Sequence, residues 1–160
     1  MSTPAKAVPV KPIPEGYHSV TPYLVVQGAG KLIDFMKAAF GAQEMFRMPM
    51  PDGSIGHAEL RIGNSMVMLG EANEQFKAMP TCLQLYLEDV DAVFARAVAA
   101  GGTPVAEPAN QFYGDRRGGV QDMCGNYWWM ATHIEDVSEE EMKRRMEAAS
   151  GGRGALGRRP

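Results

Sequence analysis

His57-Ala58-Glu59-Leu60-Arg61-Ile62 alternates polar and apolar side chains without a break, the period of a strand with one dry face. The same alternation recurs on both sides of it. Leu24 and Val26, then Val67 and Leu69, then Leu83, Leu85 and Leu87, then Trp128 and Met130 continue the apolar face. Thr21, Tyr23, Met66, Met68, Cys82, Gln84, Tyr86, Tyr127 and Trp129 continue the other. This second face mixes aromatic, sulfur, amide and ionisable groups, which suits neither a dry core nor a plain solvated surface. Sheets of this kind pack helices on one side and can line a ligand cavity on the other.

Read outward from that stretch, the chain follows one plan twice. A strand from about His18 to Val26 hands over at Gly28-Ala29-Gly30 to a helix with Leu32, Ile33, Met36 and Phe40 at helical spacing, stopped by Gly41. Strands Glu44 to Met50, Ile55 to Ile62 and Ser65 to Gly70 follow, joined by turns at Pro51-Asp52-Gly53 and Gly63-Asn64. After a polar link, Glu71 to Thr81, the plan returns. Cys82 to Leu87 is a strand, Asp89 caps a helix striped with Val90, Val93, Phe94, Ala97 and Val98, and Gly101-Gly102 ends it. Strands near Thr103 to Ala106, Gly118 to Gln121 and on to Thr132 complete the copy, around a loop Phe112 to Arg116 and a turn Cys124-Gly125-Asn126. The fold class expected is α+β, two βαβββ modules forming a cupped mixed sheet.

The domain plan expected is a mobile, Pro-rich leader over 1–16 and one domain over 17–135, built from modules 17–75 and 80–135. A charged helix over 136–150, capped by Ser138 with Glu141 three residues on, precedes a disordered tail over 151–160. The 160 residues are 45% hydrophobic and carry a net charge of -3, enough apolar material for one core and no clustered basic surface for nucleic acid. No stretch reaches the roughly 18 to 20 apolar residues of a membrane span, and no secretion signal opens the chain. A cytoplasmic protein is expected. Cys82 and Cys124 do not make a disulfide framework, and neither has a neighbour in sequence that would activate a thiol.

Strand, helix and three strands, duplicated, together with Thr21-Pro22-Tyr23-Leu24-Val25-Val26, Ala38-Ala39-Phe40-Gly41-Ala42, His57-Ala58-Glu59-Leu60, Asp89-Val90-Asp91-Ala92 and Tyr113-Gly114-Asp115-Arg116, resemble the vicinal oxygen chelate superfamily. Within it, the likeness is to the PhnB-like branch of glyoxalase/bleomycin-resistance proteins, over about residues 18 to 145. That superfamily includes metal-dependent lyases, isomerases, epimerases and dioxygenases as well as metal-free drug-binding proteins, so fold does not decide function. The resemblance implies metal ligands on the first and last strand of each module, where this sequence has Thr21, Met68, Cys82 and Trp129. One thiolate among Thr, Met and Trp is no metal site, so no metal cofactor is expected.

Three constellations remain as candidates. His57, Glu59 and Arg61 lie two apart on one strand, their Cβ atoms about 6 to 7 Å from the next. Glu59 can orient His57 as a general base while Arg61 clamps an anion, or all three can be an ordinary solvated strand face with cross-strand ion pairs. Tyr23, Tyr86 and Trp129, with Met68 and Gln84 among them, can stack a flat ligand and fix its orientation, or form an aromatic dimer interface, or do both. Tyr113 and Arg116 belong to a loop that can act as a lid over an anionic ligand, or that Asp115 and Arg116 merely pin in place. The expected function is metal-free binding of a small aromatic or anionic molecule by a homodimer, with His57 and Glu59 as the reactive pair. The alternative is a metal-dependent lyase, isomerase or dioxygenase that uses His57 and Glu59.

Overall fold

α1 (Ala29–Phe40) enters through Gly28 in a left-handed backbone conformation and has no side-chain cap of its own. Its orphan amides are satisfied from the far end of the first module: Glu71 accepts from the N–H groups of Gly28 at 2.7 Å and Ala29 at 2.9 Å. The computed structural model describes residues 8–154, with side chains to Gly151. In it β1 (Tyr23–Val26), β2 (Gln43–Pro49), β3 (Ile55–Ile62) and β4 (Ser65–Glu71) form one four-stranded sheet in the order β1-β4-β3-β2, with β1 parallel to β4 and the other pairs antiparallel. Glu71 therefore ties the last strand of the module to its helix.

The second module repeats the arrangement. β5 (Cys82–Tyr86), α2 (Val90–Ala99), β6 (Thr103–Asn110), β7 (Asp115–Gln121) and β8 (Tyr127–His133) give a sheet in the order β5-β8-β7-β6. Register repeats too: Tyr23 stands opposite Met68 in the first sheet, and Gln84 opposite Trp129 in the second. α2 is capped twice, by Asp89 accepting from the Ala92 N–H and by the Thr132 hydroxyl accepting from the Val90 N–H.

The architecture is α+β with two βαβββ modules, as the alternation requires, yet there are two sheets and not one continuous cup. α1 and α2 pack against each other between the sheets, and the buried residues of both modules form a single apolar cluster. The Phe40 ring at the end of α1 lies 4.8 Å from Trp128 of β8, and the Cys124 thiol donates to the Gln27 carbonyl across the module boundary. Both apolar faces are thus turned toward the middle. The mixed faces are turned away from this shared middle, which the sequence pattern left open because period two fixes the sides of each sheet but not how two sheets meet.

Several boundaries differ from expectation for identifiable reasons. β1 starts at Tyr23 and not at His18, because Pro22 has no N–H for the ladder, although its carbonyl still accepts from Met68. β6 runs on to Asn110 through Pro104 and Pro108, tolerated because it is an edge strand with irregular register. β7 begins at Asp115, so Asp115 and Arg116 are strand residues opposite His133 and Thr132 and not part of a lid. Helix α3 (Glu139–Gly154) carries the Ser138 cap, with Glu141 N–H donating to its hydroxyl, and extends past residue 150 into the expected tail. The expected tail residues 155–160 and leader residues 1–7 lie outside the described residues. Pro12, Ile13 and Pro14 of the leader wall a cavity against the first sheet.

The turn before β8 is held by a buried carboxylate. Asp122, 5% exposed, accepts from the Trp128 indole N–H at 2.7 Å, the Asn126 side-chain amide at 2.9 Å and the backbone N–H groups of Cys124 and Asn126. Asn126 in turn accepts from the Thr81 N–H, joining the turn to the start of β5. Asp122→Ala leaves several buried donors unmatched and is expected to cost about 3 kcal/mol, read as a large drop in the thermal melt. Asp52→Ala, at an exposed turn, leaves the melt close to that of the unaltered protein.

Candidate functional site

His57 sits in the middle of a hydrogen-bonded chain on the outer face of the first sheet. Its Nε2 lies 3.2 Å from Glu59 Oε1 and its Nδ1 3.1 Å from the Tyr23 hydroxyl, while the Tyr17 hydroxyl donates to the other Glu59 oxygen. These contacts pull the Glu59 carboxyl below its usual value, the Tyr17 bond first and His57 after it, against the opposing effect of burial. Burial, followed by the bond to Glu59, pushes the Tyr17 phenol up to about 12. The Tyr23 and His57 rings stack with centroids 5.6 Å apart, and Phe46 of β2 lies 6.1 Å from His57 on its other flank. Alternation along β3 predicted that His57 and Glu59 share a face; the roles of Tyr17 and Phe46 needed the leader and the β2–β3 register.

The rest of this face is more apolar. Met45, Phe46 and Met48 of β2 and Tyr23 of β1 are each about half exposed. Met68 stands opposite both Tyr23 and Glu59, and with Pro12–Pro14, Tyr17 and Thr21 it walls a cavity of about 460 Å³. Arg61 is on the same face but is engaged by the Gln43 side chain, so it is not poised as a clamp.

The second sheet carries an aromatic platform. Trp129 lies across Gly119, where an added Cβ would sit 2.5 Å from Trp129 Cε3, so only glycine lets the indole lie down on β7. The Arg117 guanidinium carbon is 3.8 Å from the Trp129 ring centroid, and its Nε donates to Gln84 Oε1 at 3.1 Å. Tyr127 and Tyr86 stand exposed around this platform. Tyr86 donates to buried Asp115 at 2.9 Å, and that acceptor raises its phenol above the ordinary value. The other Asp115 oxygen meets His133 Nδ1 at 2.7 Å, while His133 Nε2 meets Asp136 at 2.8 Å.

Of the expected site residues, Tyr23, His57, Glu59, Arg61 and Met68 come together on one sheet, and Gln84, Tyr86 and Trp129 on the other. Within one chain the two sets do not meet. Arg116 is a correction: it points to the helix side and grips Asp91 of α2 with bonds of 2.6 and 2.7 Å, and also Asn110. The arginine of the mixed face is Arg117, legible from strand parity once Val120 is taken as inward, because 117 and 119 then fall on the outer side. Tyr113 packs edge-on to Phe112 in the β6–β7 connection.

Among the described residues no group of three or more His, Cys, Asp or Glu side chains converges as metal ligands do. Thr21 and Met68 stand on one sheet and Cys82 and Trp129 on the other, and neither pair is a donor set for a divalent ion. His57, the one imidazole central to a mixed face, has both nitrogens engaged. Cys124 is no nucleophile: burial, then Asp122 and Glu71, pushes its thiol up to about 11.

The sequence profile of the glyoxalase/bleomycin resistance protein/dioxygenase superfamily matches residues 16–130. The uncharacterized protein Mb0911c of Mycobacterium bovis is 37% identical over 145 residues, spanning 84% of this chain and 95% of its own. Among solved structures, TioX from Micromonospora sp. ML1 superposes with a TM-score of 0.63 at 26% identity, covering 71% of this chain and 97% of TioX. TnmS3, an antibiotic binding protein from Streptomyces sp. CB03234, shares the fold with a TM-score of 0.58 at 21% identity, covering 72% of this chain and 95% of TnmS3.

The carboxylates of Asp136 and Asp115 raise His133 above its ordinary 6.5. A raised histidine stabilises the fold fully below the unfolded value of 6.5 and loses that contribution as pH rises through the folded value. The His133 ring resonances are expected to titrate above 6.5, moving back toward it in Asp136→Asn, by NMR across a pH series.

Proposed function

The chain belongs to the glyoxalase/bleomycin resistance protein/dioxygenase superfamily, and from that premise we propose that it is a metal-independent small-molecule binding protein whose cup is completed by a second copy of the chain. One observation carries this reading. Both mixed faces look outward, and neither is closed by its own chain, although they expose Tyr23, Phe46, Met48, Tyr86 and Tyr127. Setting the first face of one copy against the second face of another brings the Tyr23–His57–Glu59 wall opposite the Trp129–Arg117 platform. It covers aromatic surface that folding leaves open.

The ligand that fits is small, flat and aromatic or anionic. Trp129 supplies a ring held flat, Arg117 a cation already stacked on it, Gln84 an amide, and the methionines of β2 an adaptable apolar rim. That TnmS3, with the same fold, is an antibiotic binding protein supports small-molecule binding as a use of this scaffold. The segments that resemble the PhnB-like branch support placing the chain there. The two thiols, free of any disulfide, support a cytoplasmic setting. A metal-dependent lyase, isomerase or dioxygenase would require His57 to surrender one of its two hydrogen bonds and further ligands to arrive from elsewhere.

The test is binding of 2-naphthoate followed by tryptophan fluorescence. Saturable quenching with one probe per subunit, unchanged by EDTA and weakened at least tenfold in Trp129→Ala, is the expected result. Binding abolished by EDTA, or metal purifying with the protein at one ion per subunit, would contradict it.

A further inference from the structure

The order of groups in the hydrogen-bonded series on the first sheet limits where its protons can sit. Glu59, held below its usual value, is a carboxylate and only accepts, so His57 must donate to it from Nε2. In a neutral imidazole that donates from Nε2, Nδ1 carries the lone pair, and the Tyr23 hydroxyl, 3.1 Å away, is placed to donate to it. The lone pairs of the Tyr23 oxygen are left facing away from the imidazole, on a side chain that is 47% exposed. A carboxylate that orients an imidazole that accepts from a hydroxyl is the order of groups by which enzymes move protons. Here the hydroxyl is a phenol.

This assembly is not part of the apolar core. All of its members stand on the outer face, away from the apolar cluster that holds the sheets together. Tyr17, just after the leader, occupies the second Glu59 oxygen, and its phenol, pushed up to about 12, stays a neutral donor at any physiological pH. Stacking against Tyr23 and the flank of Phe46 fix the plane of His57. The chain borders open space on two sides: the cavity of about 460 Å³ beside Glu59 and Met68, and a smaller one of about 250 Å³ walled by Tyr23, Val25 and Phe76.

We propose that Tyr23 is an acid–base group at the outer end of a Glu59–His57–Tyr23 proton relay, and that the cup can deprotonate a small, flat carbon acid without a metal. The proposal rests on the binding reading above, since the substrate is held by the same cup. In the step, the substrate C–H proton passes to the Tyr23 oxygen while the Tyr23 proton passes to His57 Nδ1. The imidazolium so formed is stabilised by Glu59 and returns its proton to water. The carbanion, or the oxyanion to which its charge passes, forms in a cup whose opposing wall carries Arg117. Tyr23 is the catalytic residue; His57 acts through it, and Glu59 is a positioning residue.

5-Nitrobenzisoxazole is a suitable probe, being flat, aromatic and a carbon acid. Loss of its C3 proton breaks the ring N–O bond, and the electron pair of the C–H bond completes the nitrile. The oxygen leaves as 2-cyano-4-nitrophenolate, which is coloured. The protein is expected to open the probe at least tenfold faster than the same concentration of imidazole. Tyr23→Phe and His57→Gln are each expected to lose at least tenfold in the rate of probe opening. Glu59→Gln is expected to displace the pH–rate profile, which a merely structural residue would not do. The titratable groups that face His57 are Tyr23 from β1 and Glu59 from its own strand, with Tyr17 behind Glu59 and only Phe46 and Met48 from β2.

Binding of 2-naphthoate without probe opening above imidazole overturns the relay and leaves the binding reading standing. Neither binding nor opening overturns both. A rate that rises in Tyr23→Phe would place the base on an uncovered His57 and overturn the role given to Tyr23.

Discussion

Burial of two apolar sheet faces against one shared pair of helices governs the rest of this structure. Leu24, Val26, Leu60 and Leu69 from the first sheet and Val120, Trp128 and Met130 from the second are all essentially inaccessible, gathered around Leu32, Phe35, Met36, Val90 and Phe94 of the helices. At about 25 cal/mol per Å² of apolar area removed from water, this is the largest favourable contribution available to a chain of this size. It also uses up every apolar face. What remains outward is the mixed face of each module, the surface that the proposed second copy would cover.

Polar interactions then place the elements with accuracy that apolar contact alone does not give. Glu71 and Thr132, at corresponding ends of β4 and β8, each bind the first amides of their module's helix, so the strand that closes a module also caps the helix that opens it. Asp122 and Asn126 lock the last hairpin to the start of β5. The bonded series Tyr17, Glu59, His57 and Tyr23 stands apart from these locks, on the outer face of the first sheet and away from the apolar cluster.

Much of this was legible in the sequence because strand alternation and helix caps are local signals. His57, Glu59 and Arg61 share a face as their spacing says, and Asp89 and Ser138 cap as their positions say. Arg116 reads as a loop residue because the turn residues suggest a strand from Gly118, whereas β7 begins three residues earlier, and one residue of parity separates Arg116 on α2 from Arg117 on Trp129. The role of Gly119 as the bed of Trp129 has no local signal at all; it is a contact between neighbouring strands. The meeting of the two sheets through their helices depends on which of two apolar packings buries more area, and no spacing in the sequence encodes that choice.

The central claim is that one copy's first face meets another copy's second face. Because the two faces do not meet within a single chain, a disulfide between them can only join two chains. Oxidation of a Met68→Cys, Cys124→Ser variant, which retains Cys82, tests this on a non-reducing gel at dilute protein concentration. The account predicts a covalent dimer that reduction returns to monomer. A variant that stays monomeric on the gel, from a protein that also sediments at 17.4 kDa, would contradict it.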